Sequence, residues 1–160
     1  MPTIYCGKPL DYTGNDNFMT QRETWELIKD FIPKDKKIWE AFYGDGKSGT
    51  WLKELGFDVI HKDIDFFDNN LGDCVVSNPP FSKKRRILST LHERGIPFIL
   101  IMPYEVIFYK YFNIFKTKDL QLIIPKKRIH FIKDGELKKF NFDCVFFCWK
   151  MNLENDLNFV

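Results

Sequence analysis

Several features that mark special classes of protein are missing from this sequence. No apolar run approaches a membrane span, since the longest, Ile96 to Met102, is the size of a strand. The opening MPTIYCGKPLDY lacks the apolar centre of a secretion signal. Cys6, Cys74, Cys144 and Cys148 contain no Cys-x-x-Cys pair, and on a strand the last two would stand roughly 13 Å apart, too far to share a metal. His61, His92 and His130 are equally scattered. Buried free thiols and packed or surface histidines are expected, with no metal site, in a cytoplasmic or nuclear protein that is neither secreted nor membrane-bound. Repeats, low-complexity tracts and long linkers are absent, and a net charge of +2 is too small to announce a polyanionic partner by itself.

What remains describes one ordinary domain over residues 1–160. That length buries a real core, and 44% hydrophobic with 29% charged residues excludes a disordered chain. Phenylalanine is plentiful, at 17 positions, which predicts a core or site rich in rings. The basic runs Lys83, Lys84, Arg85, Arg86 and Lys126, Lys127, Arg128, with Leu137 to Lys139, could form one phosphate-binding rim. Each cluster alone is as readily a solvated surface.

Along the chain, Met1 to Asn17 reads as an arm over the domain. Thr20, with Glu23 three residues on, forms a capping box for an amphipathic helix that puts Trp25, Ile28 and Ile32 inward and stops at Pro33. An apolar segment from Ile38 to Phe42, a loop with Gly44 and Gly46, and a helix from about Ser48 to Leu55 closed by Gly56 come next. FDVIHKDIDFF reads as strand, turn and a short second strand. Strands at Asp73–Ser77, PFILIMP and LQLIIP alternate with a helix at Lys83–Arg94 and a short one in YEVIFYKYF. Asp134-Gly135 between extended runs predicts an antiparallel hairpin. Alternating strands and helices give an α/β fold, a mostly parallel sheet with a C-terminal antiparallel hairpin.

Ligands of such sheets lie beyond the carboxyl ends of the strands, which gathers three loops: Phe42–Gly46, Asp63–Phe67 and Asn78–Ser82. The first is neither GxGxxG nor a Walker loop, and Glu40 at its entrance suits a cationic ligand better than a phosphate. Asp63 follows the glycine loop at the spacing from which a carboxylate reaches ribose hydroxyls in dinucleotide folds. Asp65 and Phe66 could pair an adenine amino group and pack against its ring; taken singly, each acid here is more often a turn former. Pro79 and Pro80 have fixed φ and no N–H, so their loop is stiff and its carbonyls are free acceptors beside the Asn78 amide. Two fixed acceptors can hold the hydrogens of an exocyclic amine while Phe81 holds the ring.

On these residues the chain resembles the class I S-adenosylmethionine-dependent methyltransferases, and among them the small amino-methylating nucleic-acid enzymes marked by (D/N/S)PP(Y/F/W), here NPPF at Asn78 to Phe81. EAFYGDG, Glu40 to Gly46, is similar to the family's E-P-x-x-G-x-G cofactor loop, with Ala41 in place of proline. NFMT, Asn17 to Thr20, resembles the segment that contacts the methionine end of the cofactor. The resemblance runs from about Asn17 to Trp149 and implies a Rossmann-like class I methyltransferase fold. It implies a cofactor, S-adenosyl-L-methionine, held by Thr20, Glu40, Phe42, Gly44, Gly46, Asp63, Asp65, Phe66 and Asn78. Asn78, Pro79, Pro80 and Phe81 would be catalytic, and Lys83–Arg86 with Lys126–Arg128 would bind nucleic acid. The implied reaction is methylation of adenine N6, in DNA sooner than RNA, with Phe131 and Phe140 in the base pocket.

Two departures accompany the likeness. The stretch from Asp63 to Asn78 is too short for a crossover helix, and no separate target-recognition domain fits. A homo- or hetero-oligomer could supply that recognition. Glutamine side-chain methyltransferases also use NPP, usually followed by tyrosine, and a non-catalytic methyltransferase-like subunit that binds nucleic acid is the third reading.

Overall fold

A computed structural model describes residues 16–116, 118–140 and 142–160. The arm expected at Met1–Asn17 lies outside the described residues except for Asp16 and Asn17, as does Cys6. In chain order the elements are β1 (Met19–Thr20), α1 (Arg22–Leu27), β2 (Lys37–Trp39), α2 (Lys47–Glu54), β3 (Asp58–Ile60), β4 (Cys74–Ser77), α3 (Lys84–Arg94), β5 (Phe98–Pro103), α4 (Tyr109–Phe112), β6 (Leu120–Ile124), β7 (Phe131–Lys133), β8 (Glu136–Lys138), β9 (Cys144–Trp149) and β10 (Leu157–Phe159).

The architecture is α/β. Seven strands in the order β10-β6-β9-β5-β4-β2-β3 form the main sheet, and β9 alone runs against the others. Strand β5 is buried along its whole length, which explains its unbroken apolar sequence: Ile99 and Ile101 face one layer, Phe98, Leu100 and Met102 the other. On the first face lie Trp25 of α1 with Ile28 just beyond its end, Leu52 of α2 and Phe131 of β7. On the second lie Ile87, Leu88 and Leu91 of α3 with Tyr111 of α4. Each such side chain contributes about 1.5–3 kcal/mol by leaving water.

The hairpin forms at Asp134-Gly135, whose φ angles of 52° and 76° are those a two-residue primed turn requires. Its strands do not join the main sheet. Strand β7 pairs instead with β1, giving a separate three-stranded sheet, β1-β7-β8, and the antiparallel member of the main sheet is the later β9, inserted between β5 and β6. The expected capping box is corrected too. Thr20 is committed to pairing with Phe131, so Gln21 caps α1, and its side chain donates to the His130 carbonyl at 3.0 Å instead of to the helix. Helix α1 ends at Leu27, ahead of Pro33. No second strand follows β3, and YEVIFYKYF splits into a 3₁₀ turn, Tyr104–Ile107, and α4, separated by Phe108 at an extended ψ of 149°.

Residues 61–73 contain no helix, as the short spacing predicts. One side chain organises much of that loop. Arg94, at the end of α3, donates to the carbonyls of Phe66 at 3.0 Å and Asn69 at 2.5 Å and to that of Phe67. Cys74, Cys144 and Cys148 are buried free thiols, and burial pushes the first two up to about 12 and the third higher.

Candidate functional site

The chain runs from β2 outward to β3, then returns to β4 on the other side of β2. Strand order therefore reverses between β2 and β4, and loops leaving their carboxyl ends diverge to open a crevice. A cavity of about 320 Å³ occupies this position. Its walls come from all three expected loops: Glu40 to Asp45 after β2, Asp63 to Phe67 after β3, and Asn78, Pro80 and Lys83 after β4. Asp16 to Thr20 close it on the remaining side.

Of the residues expected to hold a cofactor, Thr20, Glu40, Phe42, Gly44, Asp63, Asp65, Phe66 and Asn78 line this cavity. Gly46 does not. At φ 84° it is the N-cap of α2 and contributes the turn behind the wall. Gly44, also left-handed at φ 60°, lies where a Cβ would come 2.9 Å from Met19 Sδ, so a side chain there would push on the opposite wall. Asp65 serves as a turn former as well, accepting the Phe67 N–H at 2.7 Å. Phe66 is buried, stacked on Trp39 at 5.6 Å and tilted against Phe42 at 4.9 Å, so the cavity is floored by rings that cannot move independently.

Glu40 is enclosed at the base. Ser77 Oγ donates to its Oε1, and His61 Nε2 stands 3.1 Å from Oε2. Burial raises the carboxyl above its ordinary range, opposed by His61 and Ser77. The histidine reaches it only because residue 49 is glycine: a Cβ on Gly49 would overlap His61 Cγ and Nδ1 and sit 2.6 Å from its Cβ. Tyr43, itself a wall residue, stacks on the imidazole at 4.5 Å. Sequence reasoning placed His61 among packed or surface histidines and missed this cluster, because nothing local links residues 40, 49, 61 and 77.

Asn78 stands between this cavity and a second, of about 30 Å³, lined by Asp16, Phe18, Pro79, Phe81, Phe131, Phe140 and Phe142. Its Nδ2 donates to the Phe18 carbonyl at 3.2 Å, which fixes the amide orientation. Oδ1 is then buried without a hydrogen-bond partner among the described residues. Thr20 Oγ1 is orphaned in the same way. The prolines behave differently from one another: Pro79 is buried, while the Pro80 carbonyl, expected to be free, accepts the Lys83 N–H at 3.1 Å in the 3₁₀ turn that starts α3. Phe81 is turned inward at 8% exposure, edge-on to Phe131 and Phe142, so it is a wall of the small cavity and not a surface platform.

The expected basic rim is broken at two places. Lys84 is buried, because its ammonium pairs with Glu105 at 2.7 Å and contacts the Phe81 carbonyl at 3.4 Å. Arg128 is bound by Asp143 at 2.8 and 3.3 Å and donates to the Phe140 carbonyl at 3.0 Å, holding the Asp143 carboxyl below the usual range. Lys83, Arg85, Arg86, Lys126 and Lys127 are exposed, with Arg86 lying 3.8 Å over the Phe67 ring. Lys126–Arg128 leaves β6, which runs parallel to β4 and β5, so it emerges on the same sheet edge as the cavity.

Among the described residues no cluster of His, Cys, Asp and Glu could hold a metal, and no helix is long and apolar enough to cross a membrane. The chain matches no known protein-family model and no curated protein sequence.

Proposed function

We propose that the chain is an S-adenosylmethionine-dependent N-methyltransferase acting on the N6 amino group of adenine in nucleic acid. The observation that carries this reading is the Asn78 amide, held by Phe18 so that a buried, unpartnered acceptor lies where two cavities meet. The larger cavity suits the cofactor in size and donor set: buried Glu40 for a cationic group, the orphaned Thr20 hydroxyl, the carboxylates of Asp63 and Asp65, and the Phe42 and Phe66 rings. Its place at the reversal of strand order in a mostly parallel sheet supports a Rossmann-like class I methyltransferase fold.

Bound there, S-adenosylmethionine supplies a methyl group made electrophilic by its sulfonium. The protein's own contribution is alignment. Asn78 Oδ1 and the Pro79 carbonyl accept the two hydrogens of the target amine, direct its lone pair toward the larger cavity, and stabilise the positive charge that grows on nitrogen. The rings of Phe18, Phe81, Phe131, Phe140 and Phe142 exclude water around the reacting atoms. A purine is several times larger than the small cavity, so entry requires half-buried Phe140 to swing from its contacts with Phe18 at 4.5 Å and Phe142 at 4.8 Å. The target base arrives extruded or already unpaired.

The small cavity also gives specific support to a second reading, methylation of a glutamine side-chain amide, which is smaller than a purine. Nucleoside mass spectrometry of DNA and RNA incubated with protein and cofactor, beside mass spectrometry of a peptide library, separates the two. Label confined to peptide removes the nucleic-acid reading. Asn78→Ala is expected to lower turnover by ~10²-fold with cofactor affinity nearly unchanged, whereas Asp63→Ala weakens cofactor binding first. Equal loss of both quantities in Asn78→Ala would make the loop structural.

A further inference from the structure

The segment leaving β5 exposes more large apolar surface than packing explains. Tyr104, Ile107, Phe108 and Tyr109 are 46%, 42%, 51% and 73% exposed, within six consecutive residues anchored by buried Val106. The segment is ordered: Tyr104 N–H donates to the Asp143 carbonyl at 2.8 Å, Phe108 N–H to the Glu105 carbonyl at 3.0 Å, and the Tyr104 and Phe108 rings meet edge to face at 6.2 Å. These rings are therefore displayed on a fixed turn.

Its position ties it to the candidate site. Strand β5 pairs in parallel with β4, so the turn emerges beside the Asn78–Phe81 loop at the same sheet edge. Lys84 links the two directly, pairing with Glu105 and lying 5.8 Å from the Tyr111 ring centroid. That pair neutralises Glu105, the single acid between Tyr104 and Lys116. Exposed Lys110 lies within the segment, and exposed Lys83, Arg85 and Arg86 flank the start of α3, which Lys84 ties to it, with Lys83 in the wall of the larger cavity and Arg86 over the Phe67 ring. The surface is aromatic and basic, with its own acid already compensated.

We infer that this turn is a stacking platform for single-stranded nucleic acid, carrying the nucleotides that flank a target base at Asn78; the placement of the target rests on the methyltransferase reading. Aromatic faces gain from bases only when those bases are unstacked, which a duplex does not offer, and the ammonium and guanidinium groups complement phosphates. Lys110 and the cations at the start of α3 favour a polyanionic occupant over an apolar protein face. The platform grips substrate by shape and stacking instead of sequence.

The test uses 20-mers of oligo(dT) and oligo(rU), which contain no adenine and cannot be methylated, so binding is read apart from catalysis. In fluorescence anisotropy at fixed salt, wild type is expected to bind one or both single strands at least tenfold more tightly than a duplex of the same length. The dT and rU arms show which sugar is preferred. Phe108→Ala and Tyr109→Ala are each expected to loosen binding by roughly 5- to 100-fold, while Leu157→Ala on edge strand β10 leaves it unchanged. Failure of methylation assays with this binding intact would remove the methyltransferase and leave the platform. Duplex binding as tight as single-strand binding, or ring variants that bind like wild type, would overturn the platform. So would a wild-type dimer that the ring variants convert to monomer without loss of oligonucleotide, which would make the patch an interface between copies.

Discussion

Gly49→Ala makes an unusually sharp test of the cluster beneath the cavity, because two effects oppose each other in sign. Alanine at a helical position normally gains up to about 0.5–1 kcal/mol over glycine by restricting the unfolded chain. Here the added methyl overlaps the imidazole of His61, which has to leave. Its departure forfeits the stack on Tyr43, worth about 0.5–1.5 kcal/mol, and strips buried Glu40 of one of two neighbours at a cost of about 1–3 kcal/mol. The balance is a net destabilisation of about 0.5–4 kcal/mol, or about 2–4 °C in Tm for each kcal/mol in a chain of this size. Urea denaturation followed by tryptophan fluorescence measures it. In a His61→Gly background, which also removes the Cβ that would stand 2.6 Å from the new methyl, the obstacle is gone, so the same Gly49→Ala change should become neutral or stabilising. A Gly49→Ala protein more stable than wild type, or an unchanged effect in the double variant, would refute the proposed fit of imidazole into the missing side chain.

Arg94→Ala removes the group that holds the carbonyls of Phe66, Phe67 and Asn69, and is expected to cost about 2–4 kcal/mol, to speed amide exchange across residues 65–69, and to weaken cofactor binding more than turnover. Slowed or unchanged exchange in that loop would show that its fold does not depend on the guanidinium. Glu40 has a raised pKa in the folded state, so the native protein binds its proton more tightly than the unfolded chain does, and its contribution turns unfavourable as pH rises from about 4.5. Glu40→Gln should therefore gain stability relative to wild type between pH 4.5 and neutrality, measured by Tm, while losing affinity for a cationic cofactor. A stability difference constant across that range would sink the assignment.

Local chemistry made much of the frame legible. The apolar run from Ile96 identified β5, Asp134-Gly135 placed the hairpin, and the prolines after Ser77 marked the end of a buried strand. Pairing was harder to read. Strand β9 carries the apolar content of any buried strand, and nothing in CVFFCW states that it lies between β5 and β6 instead of extending the hairpin. Strand β10, with only Asn158 buried, has no apolar alternation to betray it, and β1 is two residues long. Among site residues, those brought together by strand ends were foreseeable from the order of elements. Lys84 was misread because a run of four cations hides which one the helix turns inward toward Glu105. Arg94 and His61 were missed because their partners are carbonyls and a carboxylate distant in sequence.

Unsatisfied groups connect the fold to its use. A buried polar atom without a partner costs about 1–3 kcal/mol, and selection for stability alone would remove it. Among the described residues, Thr20 Oγ1 and Asn78 Oδ1 carry that cost at the walls of one cavity, where the second oxygen of Glu40 has only His61 facing it, while Trp39 Nε1 and His130 Nδ1 carry it outside those walls. Scattered through the core, such atoms would be packing defects. Those that converge at the reversal of strand order, beside an amide whose other end is tied to Phe18, form an incomplete hydrogen-bonding set. A ligand that is cationic at Glu40 and presents an amine at Asn78 completes it, and binding such a ligand recovers stability that the protein forgoes alone.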